Sequence, residues 1–359
     1  MKTPYLKFHK EKLINNYNTF QKVCEEHFNK NFQICFSTKT NTNPLTIETL
    51  KKLNSGFEVA SLRELKLTPK KNFRVLNGPA KTHEELNEAI KNNVLIFIDS
   101  FSEFNKIQSV NPNNSGVQLG IRLGNKNSKF GFSSSQFKEA FEKINPIGIQ
   151  LHQGTLNKFN EFQKNLKEQK KLISPYLKKI KYLDFGGGFP DNFQLKNLGL
   201  TLTDYIKEIK ETFKDFRGIF IFEPGRNLVS DTYTLITKVI TIKEKDETTY
   251  AILDAGINIL SKMTLANFKF NKITSQKKET ITTKKVSAQL GREGRVSAIW
   301  DVDNKVQTYT LAGPLLFGND ILGKWHGKIS EGDFFEVENV GAYCENLSWE
   351  IIYEKVKVL

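Results

Sequence analysis

Short apolar runs alternate with longer amphipathic stretches between about residue 30 and residue 230. The runs have the length of buried strands, and the stretches have the length and apolar spacing of helices. Eight runs fit this description, at residues 32–36, 56–59, 73–76, 94–98, 117–123, 148–152, 180–185 and 218–222. Eight strands with helices between most of them predict a (β/α)8 barrel, also called a TIM barrel. A helix-start signal supports the pattern at Thr82, where Glu85 follows three residues later.

The pattern of apolar and polar residues changes after Arg226. Runs rich in Thr, Val and Ile are now separated by turn residues, which is typical of an antiparallel β domain. These predicted strands are 234–243, 248–253, 284–290, 295–300, 305–311, 333–337 and 349–356. The first residues, Tyr5–Phe8, also have the pattern of a strand and are expected to join this sheet. We therefore predict a barrel domain over residues 25–232 and a β domain formed by residues 1–24 and 233–359.

Composition and charge narrow the class of protein. The chain has 359 residues, of which 38% are hydrophobic, and this is enough for a folded protein with a large core. Its net charge is +14, but the lysines are scattered and form no basic block, so we do not predict nucleic-acid binding. No apolar run approaches the roughly 18–20 residues of a membrane span, and the N-terminus has no signal-peptide pattern. The three cysteines show neither metal-ligand spacing nor a disulfide framework, so we expect a cytoplasmic protein without a metal.

Three short motifs follow strand-like runs and carry candidate chemistry. Lys39 follows the first run, the glycine run Gly186–Gly188 follows the seventh, and Glu223-Pro-Gly-Arg226 follows the eighth. Parallel α/β folds place their active sites where strands end. A reactive amine, a phosphate-binding glycine loop and a carboxylate facing a ring nitrogen are what a protein needs to hold pyridoxal 5'-phosphate (PLP). We therefore predict that Lys39 forms a Schiff base with PLP and that Glu223 keeps the pyridine nitrogen protonated.

Each of these residues also has a purely structural interpretation. A lysine after a strand is usually a solvated charge, a glycine triplet is often a turn, and Glu223 could form a salt bridge with Arg226. Arg226 would otherwise bind the cofactor phosphate or orient Glu223. His152, in the sixth run, would stack on the cofactor ring, with Thr155 donating to the phosphate, although a lone histidine is more often structural.

Further motifs in the same order extend this pattern over nearly the whole chain: Asn77-Gly-Pro79 with Lys81, Asp99-Ser100, Ser128-Lys-Phe-Gly131, Asp254-Ala-Gly256, Gly313-Pro314, Asp320, Gly332-Asp333 and Gly341-Ala-Tyr343. With them, the sequence resembles the fold-type III PLP enzymes of the ornithine/diaminopimelate decarboxylase group. The resemblance implies an alanine-racemase-like barrel, a C-terminal β domain and active sites at the interface of a head-to-tail homodimer. It also places an acidic residue, Glu58, near the lysine. It implies a PLP site formed by Lys39, His152, Thr155, Gly186, Gly187, Gly188, Glu223, Gly225, Arg226 and Tyr343.

The sequence departs from this family in the motif that contacts substrate. The family usually has Gly-Pro-x-Cys-acid-x-x-Asp, whereas this chain has Gly313-Pro-Leu-Leu-Phe-Gly-Asn-Asp320. Leu316 replaces a cysteine that protonates the carbanion after loss of CO2, and Phe317 replaces an acid that helps to bind the distal amine of the substrate. Neither side chain transfers a proton or accepts a hydrogen bond from an ammonium. Lys262 is the nearest match to an arginine that the family has after Asp254-Ala-Gly.

These departures predict a substrate whose distal end is larger or more apolar than that of lysine, ornithine or diaminopimelate. Cys344, next to Tyr343, is a candidate replacement proton donor, and the alternative is a buried free cysteine. Our leading hypothesis is a PLP-dependent α-decarboxylase, a carboxy-lyase that releases CO2 and an amine from an amino acid or an amino-acid-derived biosynthetic intermediate. The alternatives are an amino-acid racemase or epimerase on the same fold and a non-catalytic PLP-binding accessory protein. The predicted catalytic residues are Lys39, Glu223, His152 and Cys344.

Overall fold

The computed structural model describes residues 2–112, 116–125, 128–156, 158–261, 268–273, 278–280, 307–350 and 354–359. The chain forms two compact units. Residues 10–229 form the barrel unit, and residues 1–9 together with 230–359 form the β unit. The predicted boundaries differ at both ends, because residues 10–24 lie in the barrel unit and residues 230–232 lie in the β unit.

A long helix near the N-terminus explains the first of these differences. Strand β1 (Tyr5–Phe8) belongs to the β unit, and helix α1 (Lys10–Phe28) follows it directly. Buried residues recur along α1 at helical spacing, and they are Leu13, Tyr17, Phe20, Val23, Cys24 and Phe28. The ring of Phe20 packs edge-on against Phe189 of the barrel unit, with 5.4 Å between centroids. The apolar face of α1 therefore covers the barrel.

The barrel itself is closed by eight parallel strands, as predicted. They are β2 (Phe32–Ser37), β3 (Gly56–Val59), β4 (Arg74–Leu76), β5 (Leu95–Ile98), β6 (Leu119–Arg122), β7 (Gly148–Gln150), β8 (Tyr182–Asp184) and β9 (Ile219–Phe222). Each strand pairs in parallel with its neighbours in the chain, and β9 pairs with β2 to close the ring. Because all strands run in one direction, their carboxyl ends meet at the same end of the barrel.

Helices connect the strands around the outside of the barrel. They are α2 (Pro44–Lys52), α3 (Leu62–Leu67), α4 (His83–Lys91), α5 (Phe101–Val110), α6 (Phe137–Ile144), α7 (Phe159–Ile173), α8 (Asn192–Leu198), α9 (Leu202–Thr212) and α10 (Arg226–Val229). Polar side chains cap several of them soon after a strand ends, as Asn43 does at α2 and Ser61 at α3. The capping box predicted at Thr82 and Glu85 is confirmed at α4. Each cap accepts a hydrogen bond from a backbone amide that has no partner within the helix.

The β unit is one sheet whose pairs are mostly antiparallel, in agreement with the predicted antiparallel β domain. β1 joins β10 (Tyr233–Lys245), β11 (Thr248–Leu253), β12 (Lys269–Ile273), β13 (Lys278–Thr280), β14 (Thr308–Ala312), β15 (Ile321–His326), β16 (Phe334–Glu338) and β17 (Lys357–Val358). Most pairs are antiparallel, but β11 with β14 and β1 with β17 are parallel. A parallel pair needs a long connection, and a long stretch of chain separates β11 from β14. The predicted strands 284–290 and 295–300, and Lys262, lie outside the described residues.

None of the helices in the described part of the chain combines the length and the apolar character that crossing a membrane requires.

Candidate active site

The carboxyl end of the barrel carries a cluster of polar side chains from six of its strands or the turns after them. Lys39 lies on a 3-10 turn, Thr38–Thr40, that follows β2 directly. The other members are Glu58 on β3, Asn77 after β4, Gln150 at the end of β7, Asp184 at the end of β8 and Glu223 after β9. All of these except Lys39 are buried, so each needs a partner inside the protein.

Lys39 and Glu58 form an ion pair at the centre of this cluster. The Nζ atom of Lys39 donates to both carboxylate oxygens of Glu58, at 3.0 and 2.8 Å, and Ser37 Oγ donates to the same carboxylate at 2.7 Å. Burial alone would raise the pKa of Glu58, but the Lys39 ammonium and the hydrogen bonds hold it below its usual range. The Lys39 side chain is 47% exposed, so its amine remains accessible to a ligand.

Two buried amides connect Glu58 with two further acids. Asn77 Nδ2 donates to Glu223 Oε1 at 2.7 Å and to Glu58 Oε1 at 3.2 Å. Gln150 Nε2 donates to Glu223 Oε1 at 3.0 Å and to Asp184 Oδ2 at 3.3 Å, and the Gly186 amide donates to Asp184 Oδ1 at 2.6 Å. The three carboxyl groups therefore belong to one buried hydrogen-bond network.

The environment of Asp184 and Glu223 favours their protonated forms. Burial raises the pKa of Asp184 to about 7, although hydrogen bonds from Glu223, the Gly186 amide and Gln150 oppose the rise. Burial, followed by the negative charges of Asp184 and Glu58, raises the pKa of Glu223 well above its usual range. Glu58 is therefore ionised, whereas Asp184 and Glu223 retain a proton more readily than exposed acids do.

The glycine run forms a tight loop against His152. Gly186 and Gly188 have positive φ angles of 63° and 87°. A Cβ atom at Gly186 would collide with the His152 ring, and one at Gly188 would collide with the Gly154 carbonyl. The Gly187 amide donates to His152 Nδ1 at 3.2 Å. Only glycine allows this close approach of backbone, which is the property that a phosphate-binding loop requires.

His152 is held as a neutral imidazole. Burial, then the positive charges of Arg122 and Lys39, lowers the pKa of His152 to about 3. Its Nδ1 atom is fixed as an acceptor by the Gly187 amide. A neutral flat ring suits stacking against another ring, and it is not a proton donor at neutral pH.

The remaining predicted residues of the barrel lie close to this loop. Arg226 is buried and donates to Gln194 Oε1 at 2.9 Å and to the Gly188 carbonyl at 3.3 Å. Gly225 packs so closely on Thr40 that an added Cβ would collide with it. Thr155 is exposed. These two hydrogen bonds connect Arg226 with helix α8 and with the glycine loop.

Two predicted site residues belong to the β unit. Tyr343 is partly exposed and has a left-handed φ angle of 66°. Cys344 is completely buried in the apolar core of the β unit, and this burial raises the pKa of its thiol. A thiol enclosed in an apolar core does not reach a substrate, so we do not retain Cys344 as a proton donor. The alternative interpretation, a buried free cysteine, fits its position.

The sequence indicated no role for three members of the network. In the sequence, Asn77 is only part of a motif, and Gln150 and Asp184 are only parts of predicted strands. Gln150 and Asp184 are the last residues of otherwise apolar strands, and this position is the sequence feature that could have identified them as site residues. A polar residue that ends a buried parallel strand faces the active-site end of a barrel.

These groups fit PLP in both charge and shape. Lys39 offers an accessible amine, Glu223 a buried carboxyl, and His152 a neutral ring beside the loop. Because its residues have no Cβ atoms, the glycine loop approaches the His152 ring and the Gly154 carbonyl closely and presents backbone rather than side chains. A (β/α)8 barrel with this set of groups at its carboxyl end defines the class of PLP-binding barrels.

Comparison with known proteins identifies the family. Residues 11–230 match the family model "Pyridoxal-dependent decarboxylase, pyridoxal binding domain". The chain therefore belongs to the pyridoxal-dependent decarboxylases, which use PLP. It is 26% identical to diaminopimelate decarboxylase of Pseudomonas aeruginosa over 86% of this chain and 76% of that protein. It is 27% identical to the Haemophilus influenzae enzyme of the same name, over 89% of this chain and 79% of that protein.

Solved structures share the fold over the full length. The crystal structure of diaminopimelate decarboxylase from M. jannaschi superimposes with a TM-score of 0.81 at 24% identity, covering 97% of this chain and 84% of that one. Lysine decarboxylase from Selenomonas ruminantium gives a TM-score of 0.79 at 20% identity, covering 100% and 92%. At these identities the likeness shows the architecture alone, a barrel followed by a β domain.

The role of the glycine loop in PLP binding can be tested with a matched control. We expect Gly188→Ala to weaken PLP binding at least about tenfold, because the added methyl group collides with the Gly154 carbonyl. Gly199→Ala is the control, since Gly199 also has a positive φ of 64° but its Cβ would meet no atom within 4 Å. Both variants carry the backbone strain of about 1–2 kcal/mol that a left-handed alanine costs. Fluorescence titration with PLP measures the difference, and equal PLP affinity in the two variants would contradict a phosphate-binding role for the loop.

Proposed function

We propose that this protein is a PLP-dependent α-decarboxylase acting on an amino acid or an amino-acid-derived intermediate with an apolar distal end. The observation that carries the decarboxylase assignment is the accessible Lys39 amine, held by buried Glu58 in the same network as Glu223. Bound PLP supplies a carbonyl for an amine and a ring that accepts the electrons released with CO2.

The residues of the barrel have distinct roles in this proposal. Lys39 is the amine that anchors the cofactor and returns to displace the product. Glu58 accepts hydrogen bonds from the Lys39 ammonium and so holds and orients the amine when it is free. Glu223 would pair with the ring nitrogen of the cofactor, and the neutral His152 ring would stack on the cofactor ring. The glycine loop, Arg226 and Thr155 would bind the phosphate.

A loop of the β unit supports the proposal that the distal end of the substrate is apolar. The loop between β14 and β15 is well fixed, because Asp320 accepts hydrogen bonds from the amides of Leu315 and Ile257 at 2.9 and 2.8 Å. Leu316 on this loop is 88% exposed, and Phe317 is 44% exposed. Exposed apolar side chains on a rigid loop suit contact with an apolar group. A substrate with a distal ammonium would lose its solvation there without a compensating charge.

We also propose that the protein acts as a homodimer. The same exposed side chains, Leu316 and Phe317, support it, because a second copy that covers this loop would remove them from water. In this arrangement, the loop of one copy would complete the site of the other and contact the distal end of the substrate.

A second candidate function is a PLP-binding protein without turnover. The specific observation in its favour is that Leu316 and Phe317 stand where the family has a cysteine and an acid, while Cys344 is buried in a core. This candidate predicts PLP bound to Lys39 and no CO2 released from any amino acid.

Removal of the Lys39 amine tests the decarboxylase assignment. We expect Lys39→Ala to reduce CO2 release at least roughly a thousandfold, as loss of a covalent catalytic group does. Lys39→Arg keeps a cation beside Glu58 but has no amine that can attack the cofactor, so it should be equally inactive and remain folded. Release of labelled CO2 from a panel of carboxyl-labelled amino acids measures both variants. Full turnover by either variant would contradict the assignment.

Restoration of an acid on the exposed loop tests the substrate class. We expect Phe317→Glu to improve CO2 release from diaminopimelate or lysine, relative to apolar amino acids, by roughly tenfold, equivalent to about 1.4 kcal/mol. Phe334→Glu is the matched control, since Phe334 is also a partly exposed phenylalanine of the β unit, at 38%. If the unaltered protein prefers diaminopimelate, the proposal of an apolar substrate is wrong. The protein would then have the activity of the diaminopimelate decarboxylases that it resembles.

A further inference from the structure

Asp184 and Glu223 meet inside the barrel without a cation between them. Asp184 is 0% exposed and Glu223 is 3% exposed, and their carboxyl groups lie within hydrogen-bonding reach of each other. One atom, Gln150 Nε2, contacts both groups, at 3.3 and 3.0 Å. Among the described residues neither acid forms an ion pair. Two carboxylates this close in a buried site cannot both be ionised without a large cost, and a hydrogen bond between them requires a proton on one.

We propose that Asp184 and Glu223 share a single proton, and that Asp184 is a positioning residue that keeps this proton on Glu223. The hydrogen bonds divide the two roles. Asp184 accepts a hydrogen bond at each oxygen, from the Gly186 amide at 2.6 Å and from Gln150 at 3.3 Å, which satisfies an ionised carboxylate. Both amides that donate to Glu223 bind the same oxygen, Oε1, so Oε2 is the oxygen to which we assign the proton. Burial raises the pKa of both acids, in agreement with a proton being retained by the pair.

The titratable groups around the pair reinforce this arrangement. Glu58 on β3 is ionised and adds a second negative charge near Glu223. Lys39 after β2 is the cation that faces the cluster, and its ammonium is in direct contact with Glu58. Cys35 on β2 is buried beside the three acids, which raise the pKa of its thiol further above the level set by burial, so it is neutral. Neutral His152 lies beyond the Gly186–Gly188 loop.

The shared proton gives Asp184 a role towards the cofactor, and this part rests on the proposed function. Toward a bound PLP, Glu223 would give this proton to the ring nitrogen, so that its O–H bond would break as an N–H bond formed on the ring. Glu223 and Asp184 would then both be carboxylates, the ring would be a cation, and the net charge would be unchanged. Two adjacent carboxylates hold that proton on the ring more firmly than Glu223 alone would. Asp184 thus acts through Glu223 and contacts neither substrate nor cofactor.

Infrared spectroscopy of the full chain, freed of cofactor, tests the shared proton directly. A protonated carboxyl has a C=O stretch that is separate from carboxylate bands and shifts in D2O. We expect such a band to persist at pH 8, where exposed acids with a pKa of about 4 are ionised. In Asp184→Asn the band should titrate at least about one pH unit lower, because the neighbouring negative charge is gone. Glu64→Gln, which removes another acid whose pKa burial raises, is the control that should leave this band unchanged.

Several outcomes would overturn the proposal. A wild-type protein with no protonated carboxyl band at pH 8 contradicts a shared proton, whether or not the Asp184→Asn variant folds. A band whose midpoint is the same in Asp184→Asn contradicts the role of Asp184. If Asp184→Asn does not fold, loss of the band in Glu223→Gln supports the assignment to this pair, and its persistence there overturns it.

Addition of PLP separates this proposal from the proposed function. If PLP binds to Lys39 and the band disappears at the same time, the proton has moved as we propose. If PLP binds to Lys39 and the band persists, transfer from the pair is wrong while the cofactor site stands. If PLP does not bind, the proposed function fails, and the infrared result on the cofactor-free chain still decides whether the proton is shared.

Discussion

Three buried carboxyl groups at the end of one barrel are the constraint on which the site depends. Glu58, Asp184 and Glu223 repel one another in a region with little water to screen them. The surrounding structure meets this constraint in three ways: a cation on Glu58, amides that bridge the acids, and protonation where neither suffices. The position of the Lys39 amine follows from the first of these, since Glu58 holds it by two hydrogen bonds. A barrel is suited to such an arrangement because its closure brings residues distant in the chain to one end.

Much of the fold could be predicted because its signal is local. The barrel strands are short apolar runs, and the Thr82–Glu85 cap lies within four consecutive residues. The spacing of the buried residues in helix α1 is an equally local signal. We nevertheless assigned residues 1–24 to the β domain, because Tyr5–Phe8 has the pattern of a strand of that domain. The parallel pairing of β11 with β14 had no local signal, because strand order within a sheet depends on how distant segments meet.

The site residues, too, could be predicted where the signal lies in neighbouring residues, and could not where it lies in contacts between residues far apart in the chain. Lys39, Glu223 and the glycine run could be proposed because each directly follows a strand. The bridging amides could not, since Gln150 and Glu223 are 73 residues apart and Asn77 and Glu223 are 146 apart. Cys344 was judged by its neighbour in the chain, whereas its side chain lies in an apolar core. The family membership fixes the cofactor chemistry, whereas the proposed substrate class rests on Leu316 and Phe317, where the sequence departs from the family pattern.

The most direct test is to identify the residue to which PLP attaches. The visible absorption spectrum of the purified full chain, recorded with PLP before and after borohydride reduction, would be followed by peptide mass mapping of the reduced protein. We expect a visible band that borohydride bleaches and a pyridoxyl group on Lys39. No band even with added PLP, or a stable adduct on a different lysine, would contradict the central claim that the carboxyl end of this barrel is a PLP site built around Lys39 and Glu58.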